Sequence, residues 1–340
     1  MATDPAVLCL DVGGSSVKSG VVLRSGDVVV GPSRARIHSR GTAEQVVNGL
    51  AAVLLELQRR AEGLDVHGIG VAMPGPFDYR SGVSAMRGLR KYDAIHGLPL
   101  AEAVVESAPI LAKLPWRWIN DAHAFTLGEL RFGAAVGVKR AMFLTIGTGC
   151  GSAFAVDGEI VTSGEGVPDG GYVYPLEYQG TIIDDLLSGR GLVRLWREEV
   201  ETRSARAGSA GAGSAHAKPG AAGPARADPA GAGSVRTKPG SAGARRYSAR
   251  QVGLLAEKED GAALEAFRRF GTLLATALAP VYAAFKPDLV VLGGQVSRSL
   301  PHFGPAAAES GAPPLTLAAA PELAALRGAA VNFFESGGLG

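Results

Sequence analysis

Apolar residues open this chain as a nearly continuous run from Ala6 to Val12, interrupted only by Asp11. After Gly13-Gly14-Ser15-Ser16 the apolar signal resumes from Val17 to Leu23, and Ser25-Gly26-Asp27 turns it into Val28 to Val30. Strand-length apolar runs punctuated by Gly, Ser and Asp predict an antiparallel meander. The rhythm then changes. Val46, Val47, Leu50, Val53, Leu54 and Leu57 recur at helical spacing, and Thr42 with Gln45 supplies a capping box at the start. Val66 to Ala72 predicts a further strand, stopped by Pro74-Gly75-Pro76.

The same grammar restarts later. Arg140 to Ile146 predicts a strand ending in Gly147-Thr148-Gly149-Cys150-Gly151. Ser152 to Val156 and Glu159 to Thr162 flank Asp157-Gly158, a strong hairpin signal. Gly261 to Phe285 has helical periodicity and leads into an apolar strand, Asp288 to Leu292, followed by Gly293-Gly294. Two halves that each open with a hairpin around a glycine-rich bend predict a duplicated α/β unit. The cleft between them is the candidate site.

Length and composition agree with this division. The 340 residues, 46% hydrophobic, suffice for two domains with real cores. Two cysteines, Cys9 and Cys150, exclude a disulfide-stapled scaffold. No apolar run approaches the roughly 18 to 20 residues that span a bilayer. Met1 to Pro5 lacks a basic n-region, so no signal peptide and a reduced, cytoplasmic setting are expected.

The formal charge of +2 hides a division. Residues 203–246 are built largely from Gly, Ala, Ser and Pro, with eight Lys/Arg against the single acid Asp228. That tract is basic and the rest of the chain is net acidic. It also repeats: Gly211-Ala212-Gly213-Ser214 and Lys218-Pro219-Gly220 return as Gly231-Ala232-Gly233-Ser234 and Lys238-Pro239-Gly240. With Val235 as its one branched apolar residue it cannot offset its ordering entropy, so a disordered insert is expected, with a reach of roughly 35 to 40 Å. It reads either as a basic arm for an acidic partner or as a tolerated surface insertion. The absence of interleaved aromatics favours the insertion, and no nucleic-acid partner is expected.

Four stretches carry candidate chemistry. In Asp11-Val12-Gly13-Gly14-Ser15-Ser16-Val17-Lys18, an acid precedes a turn whose N–H groups can approach a phosphate, and Asp11 could hold magnesium through water. The plainer reading is a tight hairpin. Gly147-Thr148-Gly149-Cys150-Gly151 is a second such turn, or a β-bulge. In Asn120-Asp121-Ala122, Asp121 is either a helix N-cap or a general base at the cleft. Gly293-Gly294 after a buried strand permits close approach of a flat ring, or simply turns the strand into a helix.

In this order and spacing the four stretches resemble the ROK family of bacterial sugar kinases and sugar-responsive repressors. Pro74-Gly75-Pro76-Phe77-Asp78 is similar to its Pro-Gly-x-x-Asp segment, and Ala325-Leu326-Arg327-Gly328-Ala329-Ala330 to its last helix. The resemblance covers nearly the whole chain outside the insert. It implies a two-domain ribonuclease-H-like (actin/hexokinase type) α/β fold with a central cleft, divided as residues 1–118 plus 321–340 and residues 119–320. It also implies transfer of the γ-phosphoryl of ATP to a sugar hydroxyl, with Mg2+. Asp121 would be the base. Gly13, Gly14, Ser15, Lys18, Gly147, Thr148, Gly149, Gly293 and Gly294 would hold the nucleotide. Asn120, Asp121, Asp169 and Asp184 would hold the sugar. A homodimer is the common family assembly.

Three departures bear on these expectations. No Cys or His lies between Gly171 and Leu192, so the structural zinc of many members is not expected. The family's Glu-x-Gly-His stretch is replaced by Pro168-Asp169-Gly170-Gly171-Tyr172-Val173-Tyr174, where Asp169 would stand in for the Glu and the tyrosines offer a hydroxyl or a stacking face. Asp184 aligns with a later family Glu. Both changes point to an altered acceptor or weakened catalysis. Lys91-Tyr92-Asp93-Ala94-Ile95-His96-Gly97 replaces the usual Asn-Leu and Trp segment and reads as an exposed loop. His123 reads as a surface or supporting group, and Trp116 and Trp118 as core or interface residues sharing one strand face. The competing functions are a non-catalytic sugar sensor and a kinase using polyphosphate tethered by the basic tract. A repressor is not expected, because the first strand starts within ten residues of Met1.

Overall fold

The computed structural model describes residues 4–89, 91–212 and 247–336. The meander forms as expected: β1 (Ala6–Val12), β2 (Ser16–Leu23) and β3 (Val28–Arg36) pair antiparallel in sequence. Helix α1 (Ala43–Arg60) follows with its capping box intact. The Gln45 N–H donates to Thr42 Oγ1 at 3.2 Å and the Thr42 N–H to Gln45 Oε1 at 3.0 Å. Next come β4 (Val66–Met73), the short ladder β5 (Phe77–Asp78) with β6 (Val83–Ser84), α2 (Leu100–Ser107) and β7 (Trp116–Asn120). Helix α3 (Asp121–Phe132) starts directly from β7.

The second hairpin set is β8 (Arg140–Ile146), β9 (Cys150–Val156) and β10 (Glu159–Val161). Asp157 and Gly158 both have positive φ, 51° and 83°, as the tight hairpin turn between β9 and β10 requires. A small ladder, β11 (Glu177–Tyr178) with β12 (Thr181–Ile182), precedes α4 (Ile183–Leu186), α5 (Gly189–Ala212), α6 (Ala249–Ala256) and α7 (Gly261–Phe285). The chain finishes with β13 (Leu289–Gly293), α8 (Leu300–Glu309), β14 (Leu315–Leu317) and α9 (Ala324–Ser336).

The duplication is visible in the topology. One sheet runs β3-β2-β1-β4-β7 and the other β10-β9-β8-β13-β14. Each is a meander whose first strand pairs parallel with a later strand: β1 with β4, then β7, and β8 with β13, then β14. Ligands of such open sheets bind beyond the carboxyl ends of the parallel strands. Here those ends deliver Gly13-Gly14, Asn120-Asp121, Gly147 and Gly294.

Alternation along β1 divides the first core. Leu8 and Leu10 join Val46, Leu50 and Leu54 of α1 on one face, whereas Val7 and Cys9 join Leu326 and Ala329 of α9 on the other. So α9, from the end of the chain, closes the first sheet. It also packs closely along α3, because a Cβ on Gly328 would collide with the Ala124 carbonyl. In the second unit, Met142, Leu144 and Phe154 meet Phe270 and Leu274 of α7 in one cluster. Phe143 and Val291 meet Phe125 and Leu130 of α3 in another. Trp116 and Trp118 do share one face of β7, with ring centroids 5.4 Å apart.

Two expectations need correction. Helix α5 continues through Ala212, so residues 203–212 of the expected disordered insert are helical. Arg269 of α7 holds Glu198 and Glu199, Arg203 donates to the Gly261 carbonyl at 2.8 Å, and the alanines beyond are strong helix formers. The remainder of that insert, residues 213–246, lies outside the described residues. The segment from Lys91 to Gly97 is not a free loop either. Tyr92 and Ile95 are fully buried. Among the described residues no helix is long and apolar enough to cross a membrane.

Candidate functional site

A cavity of about 680 Å³ opens between the two sheets. Gly14 lines it from the first unit, Asn120 and Asp121 from the junction of β7 and α3, and Gly147, Thr148, Gly149, Asp184 and Gly294 from the second unit. A second cavity of about 490 Å³ shares Gly147 and Thr148 and extends to Arg190, Arg194, Arg197, Tyr247 and Gln295. The 147–148 bend is thus the wall common to both.

Asn120, not Asp121, caps α3. Its Oδ1 accepts the N–H groups of Ala122 at 3.0 Å and His123 at 3.2 Å. Its Nδ2 donates to Tyr79 Oη at 3.0 Å, and Tyr79 in turn donates to the Met73 carbonyl at 3.1 Å. With the cap supplied by its neighbour, Asp121 is the first helical residue and its carboxylate faces the cavity. Burial pushes the Asp121 carboxyl above the usual range, and the charge of Asp11 adds to the rise. The Ala122 N–H and the charge of Lys91 oppose it. Burial pushes His123 the other way, towards the neutral imidazole. A carboxylate raised in this manner is a stronger base once ionised, which suits proton removal from a hydroxyl.

The two glycine turns face each other across the cavity. In the first, the Gly13 N–H donates to Ser16 O at 2.9 Å, and both glycine carbonyls are engaged. Tyr92 Oη donates to Gly13 O at 2.6 Å and Ser39 Oγ to Gly14 O at 2.5 Å. No hydrogen bond among the described residues uses the N–H of Gly14 or Ser15. In the second turn the Gly147 N–H donates to Gly149 O at 2.9 Å, and the N–H groups of Thr148 and Gly149 are likewise without partners among the described residues. Free N–H groups on two opposed turns suit an anionic group between them.

The remaining expected residues are distributed differently. Asp11 pairs with Lys18 at 2.9 Å, its cross-strand partner, and Lys18 also reaches Glu322 at 3.7 Å. Lys18 is therefore spent on ion pairs and lines neither cavity. Gly13 and Ser15 line neither cavity, though both flank Gly14 in the turn. Gly293 is buried, and its missing side chain makes room for the Phe125 ring rather than for a ligand. Gly294, at φ 88°, lines the cavity and packs on the Ile146 backbone, so a side chain there is excluded twice over. Asp184 accepts the Cys150 N–H at 2.8 Å and pairs with Arg190 at 2.7 Å, which fixes the second turn from behind. Asp169 is exposed and lines neither cavity. Tyr172 and Tyr174 do line it, with ring centroids 5.6 Å apart.

Lys91, Tyr79 and Tyr92 are the residues that sequence reasoning undervalued. Lys91 lines the cavity over the first glycine turn. Tyr92 bolts the segment down, and burial keeps its phenol protonated. The available signal was the spacing of Tyr92 and Ile95, three apart and both apolar in character, which marks a segment packed inward.

A family model described as ROK family matches residues 7–307. The Halalkalibacterium halodurans glucokinase is 24% identical over 309 residues, 85% of this chain and 80% of that protein. The Thermotoga maritima glucokinase is 28% identical over 158 residues, 46% of this chain and 47% of that protein. The Listeria innocua beta-glucoside kinase is 33% identical over 159 residues, 46% of this chain and 49% of that protein. The chain thus spans about half the length of the latter two relatives. Among solved structures, a ROK family glucokinase from Streptomyces griseus in complex with glucose and AMPPNP aligns with TM-score 0.66 at 21% identity, covering 96% of this chain and 98% of that one. The ROK hexokinase from Thermus thermophilus aligns with TM-score 0.64 at 23% identity, covering 98% and 99%. These likenesses show the two-domain ribonuclease-H-like fold. With the family model spanning most of its length, the chain belongs to the ROK family.

Proposed function

We propose that the chain transfers the γ-phosphoryl group of ATP to a hydroxyl of a hexose or a related glucoside. One observation carries the reading: Asp121, an acid with a raised pKa at a helix start, opens onto a cavity whose opposed walls are glycine turns with unused N–H groups. Asp121 accepts the proton of the sugar hydroxyl as that oxygen attacks phosphorus. The turns at Gly14-Ser15 and Thr148-Gly149 hold the phosphate oxygens, and the smaller cavity beside the 147–148 bend takes the nucleoside. The transition state of such transfers is loose, so positioning and charge stabilisation supply most of the acceleration. The tilted pair Tyr172 and Tyr174 offers an apolar face to a sugar ring. We place the domain boundary between residues 118 and 119, within β7, with residues 321–340 and hence α9 returning to the first domain.

Magnesium fits this site as a hydrated ion carried on the donor. No cluster of three metal-ligating side chains occurs among the described residues, whereas Asp11, paired with Lys18 at 2.9 Å, still lies close enough for its charge to reach Asp121. Magnesium commonly uses one or two carboxylates plus phosphates and water. Asp11 would hold it through water, and the ion would neutralise phosphate charge.

A second donor, inorganic polyphosphate, is favoured by one feature: Arg190, Arg194 and Arg197 recur at helical spacing along the wall of the smaller cavity. The test of the whole reading is ADP release with magnesium and ATP across hexoses, amino sugars and β-glucosides, using Asp121→Asn as the blank and polyphosphate as the alternative donor. Sugar-dependent turnover that the blank lacks supports it. Tight sugar binding without turnover by either donor replaces the kinase with a sensor.

A further inference from the structure

The Lys91 segment has no part in the family pattern, yet it is held against the reacting end of the cavity. Tyr92, at φ 61°, has a fully buried side chain whose hydroxyl donates to Gly13 O at 2.6 Å. The Tyr92 N–H donates to Ser39 O at 2.5 Å, and Ser39 Oγ donates to Gly14 O at 2.5 Å. The strap is therefore fastened to both carbonyls of the first glycine turn. Lys91 emerges from it over Gly14: a Cβ placed on Gly14 would stand 3.6 Å from Lys91 Cδ and 4.0 Å from Nζ. These are van der Waals distances, so the lysine stem lies directly alongside the turn.

The charge balance around Lys91 points the same way. Lys18, the cation that the turn itself supplies, is paired with Asp11 and Glu322. Lys91 makes no ion pair with a carboxylate among the described residues, although its charge reaches Asp121. Lys91 is partly buried and lines the same cavity as Asp121 and Gly14. An unpaired cation held there suits an anion that arrives with the substrate.

We propose that Lys91 is a catalytic residue whose ammonium contacts the terminal phosphoryl group of the donor during transfer. This rests on the phosphotransfer reading above. As the bond from the sugar oxygen to phosphorus forms, the bond from phosphorus to the bridging oxygen of the leaving diphosphate breaks. The hydroxyl proton goes to Asp121 and the leaving diphosphate takes the electron pair. Lys91 exchanges no proton in the step and meets the charge on the equatorial oxygens of the phosphoryl group in flight.

The experiment compares Lys91→Met, which keeps the stem and removes the charge, with Lys91→Arg, which keeps a charge. Two readouts are taken, after matched melting temperatures confirm folding: turnover with the best sugar, and the affinity for ATP relative to ADP measured without sugar. Loss of one charge-stabilising donor is expected to lower kcat of Lys91→Met by about 100- to 1000-fold with the sugar KM little changed. The preference for ATP over ADP is expected to collapse in Lys91→Met and to be retained in Lys91→Arg. Wild-type turnover with an unaffected Lys91→Met variant overturns the assignment and leaves the kinase reading standing. A Lys91-dependent preference for ATP with no sugar phosphorylated by the wild type overturns the kinase reading and, with it, the catalytic role, leaving Lys91 as a nucleotide-binding residue. A wild type that does not distinguish ATP from ADP also overturns the assignment.

Discussion

Tyr92→Phe removes one oxygen from the interior and tests whether the strap braces the glycine turn. The ring is fully buried, so the phenylalanine keeps all of its packing. What is lost is the 2.6 Å hydrogen bond to Gly13 O. A hydrogen bond of this kind contributes about 1 kcal/mol, and a buried acceptor left unpaired costs about 1 to 3 kcal/mol. Gly13 is itself partly exposed, so water can reach part of the freed carbonyl, which places the expected destabilisation near the lower end, about 1 to 1.5 kcal/mol. Urea unfolding should show this as a lower midpoint at unchanged slope. Ser39 braces the adjacent carbonyl, so Ser39→Ala combined with Tyr92→Phe should depart from additivity. Turnover should fall in Tyr92→Phe while the sugar KM holds, because the bond secures the turn proposed to hold the phosphates. A destabilised variant with unaltered kinetics would refute the idea that the strap sets the geometry of the turn.

Further outcomes follow from other groups. The raised Asp121 pKa, set by burial and by Asp11, places the acidic limb of kcat/KM above the usual carboxylate range, and Lys91→Met should move that limb higher still; a limb near pH 4 contradicts this. The folded state holds the Asp121 proton more tightly than the unfolded chain does. Stability due to this group is therefore lost as pH rises from the ordinary Asp value through the raised one. Asp121→Asn should be more stable than wild type at neutral pH, with the advantage vanishing in acid, and a variant less stable at pH 7 sinks the point. Glu129, 1% exposed, accepts the N–H groups of Ala134 at 2.8 Å and Ala319 at 3.0 Å; Glu129→Ala should cost about 2 to 4 kcal/mol in urea unfolding, and a loss under about 1 kcal/mol would show that water replaces those bonds.

Local order was legible because its causes are local. The capping box at Thr42, the Asp157-Gly158 hairpin and the period of α7 each depend on residues within a few positions of one another. What escaped sequence reasoning depends on distant pairings. Tyr92 reaches Gly13 across 79 residues, and Asp184 reaches Cys150 across 34. Lys18 and Lys91 illustrate the difference. Lys18 sits inside the phosphate-like motif but folds onto Asp11 and Glu322, whereas Lys91 sits in a segment without a motif and is carried to the cavity by its buried neighbours. Asn120 and Asp121 are both good caps, and only the backbone reveals which of the two begins the helix. The helical stretch 203–212 was misread because composition registers its glycines and alanines but not the helix already under way from Gly189.

Transfer itself is most directly tested by following labelled phosphorus from the γ position of ATP, in wild type and in Asp121→Asn, with magnesium and the best sugar. The predicted result is label on a sugar hydroxyl in the wild type, transfer slowed by about 100- to 10,000-fold in the variant, and nucleotide affinity nearly unchanged. Label found only as inorganic phosphate, or an Asp121→Asn variant that transfers at the wild-type rate, would contradict the account.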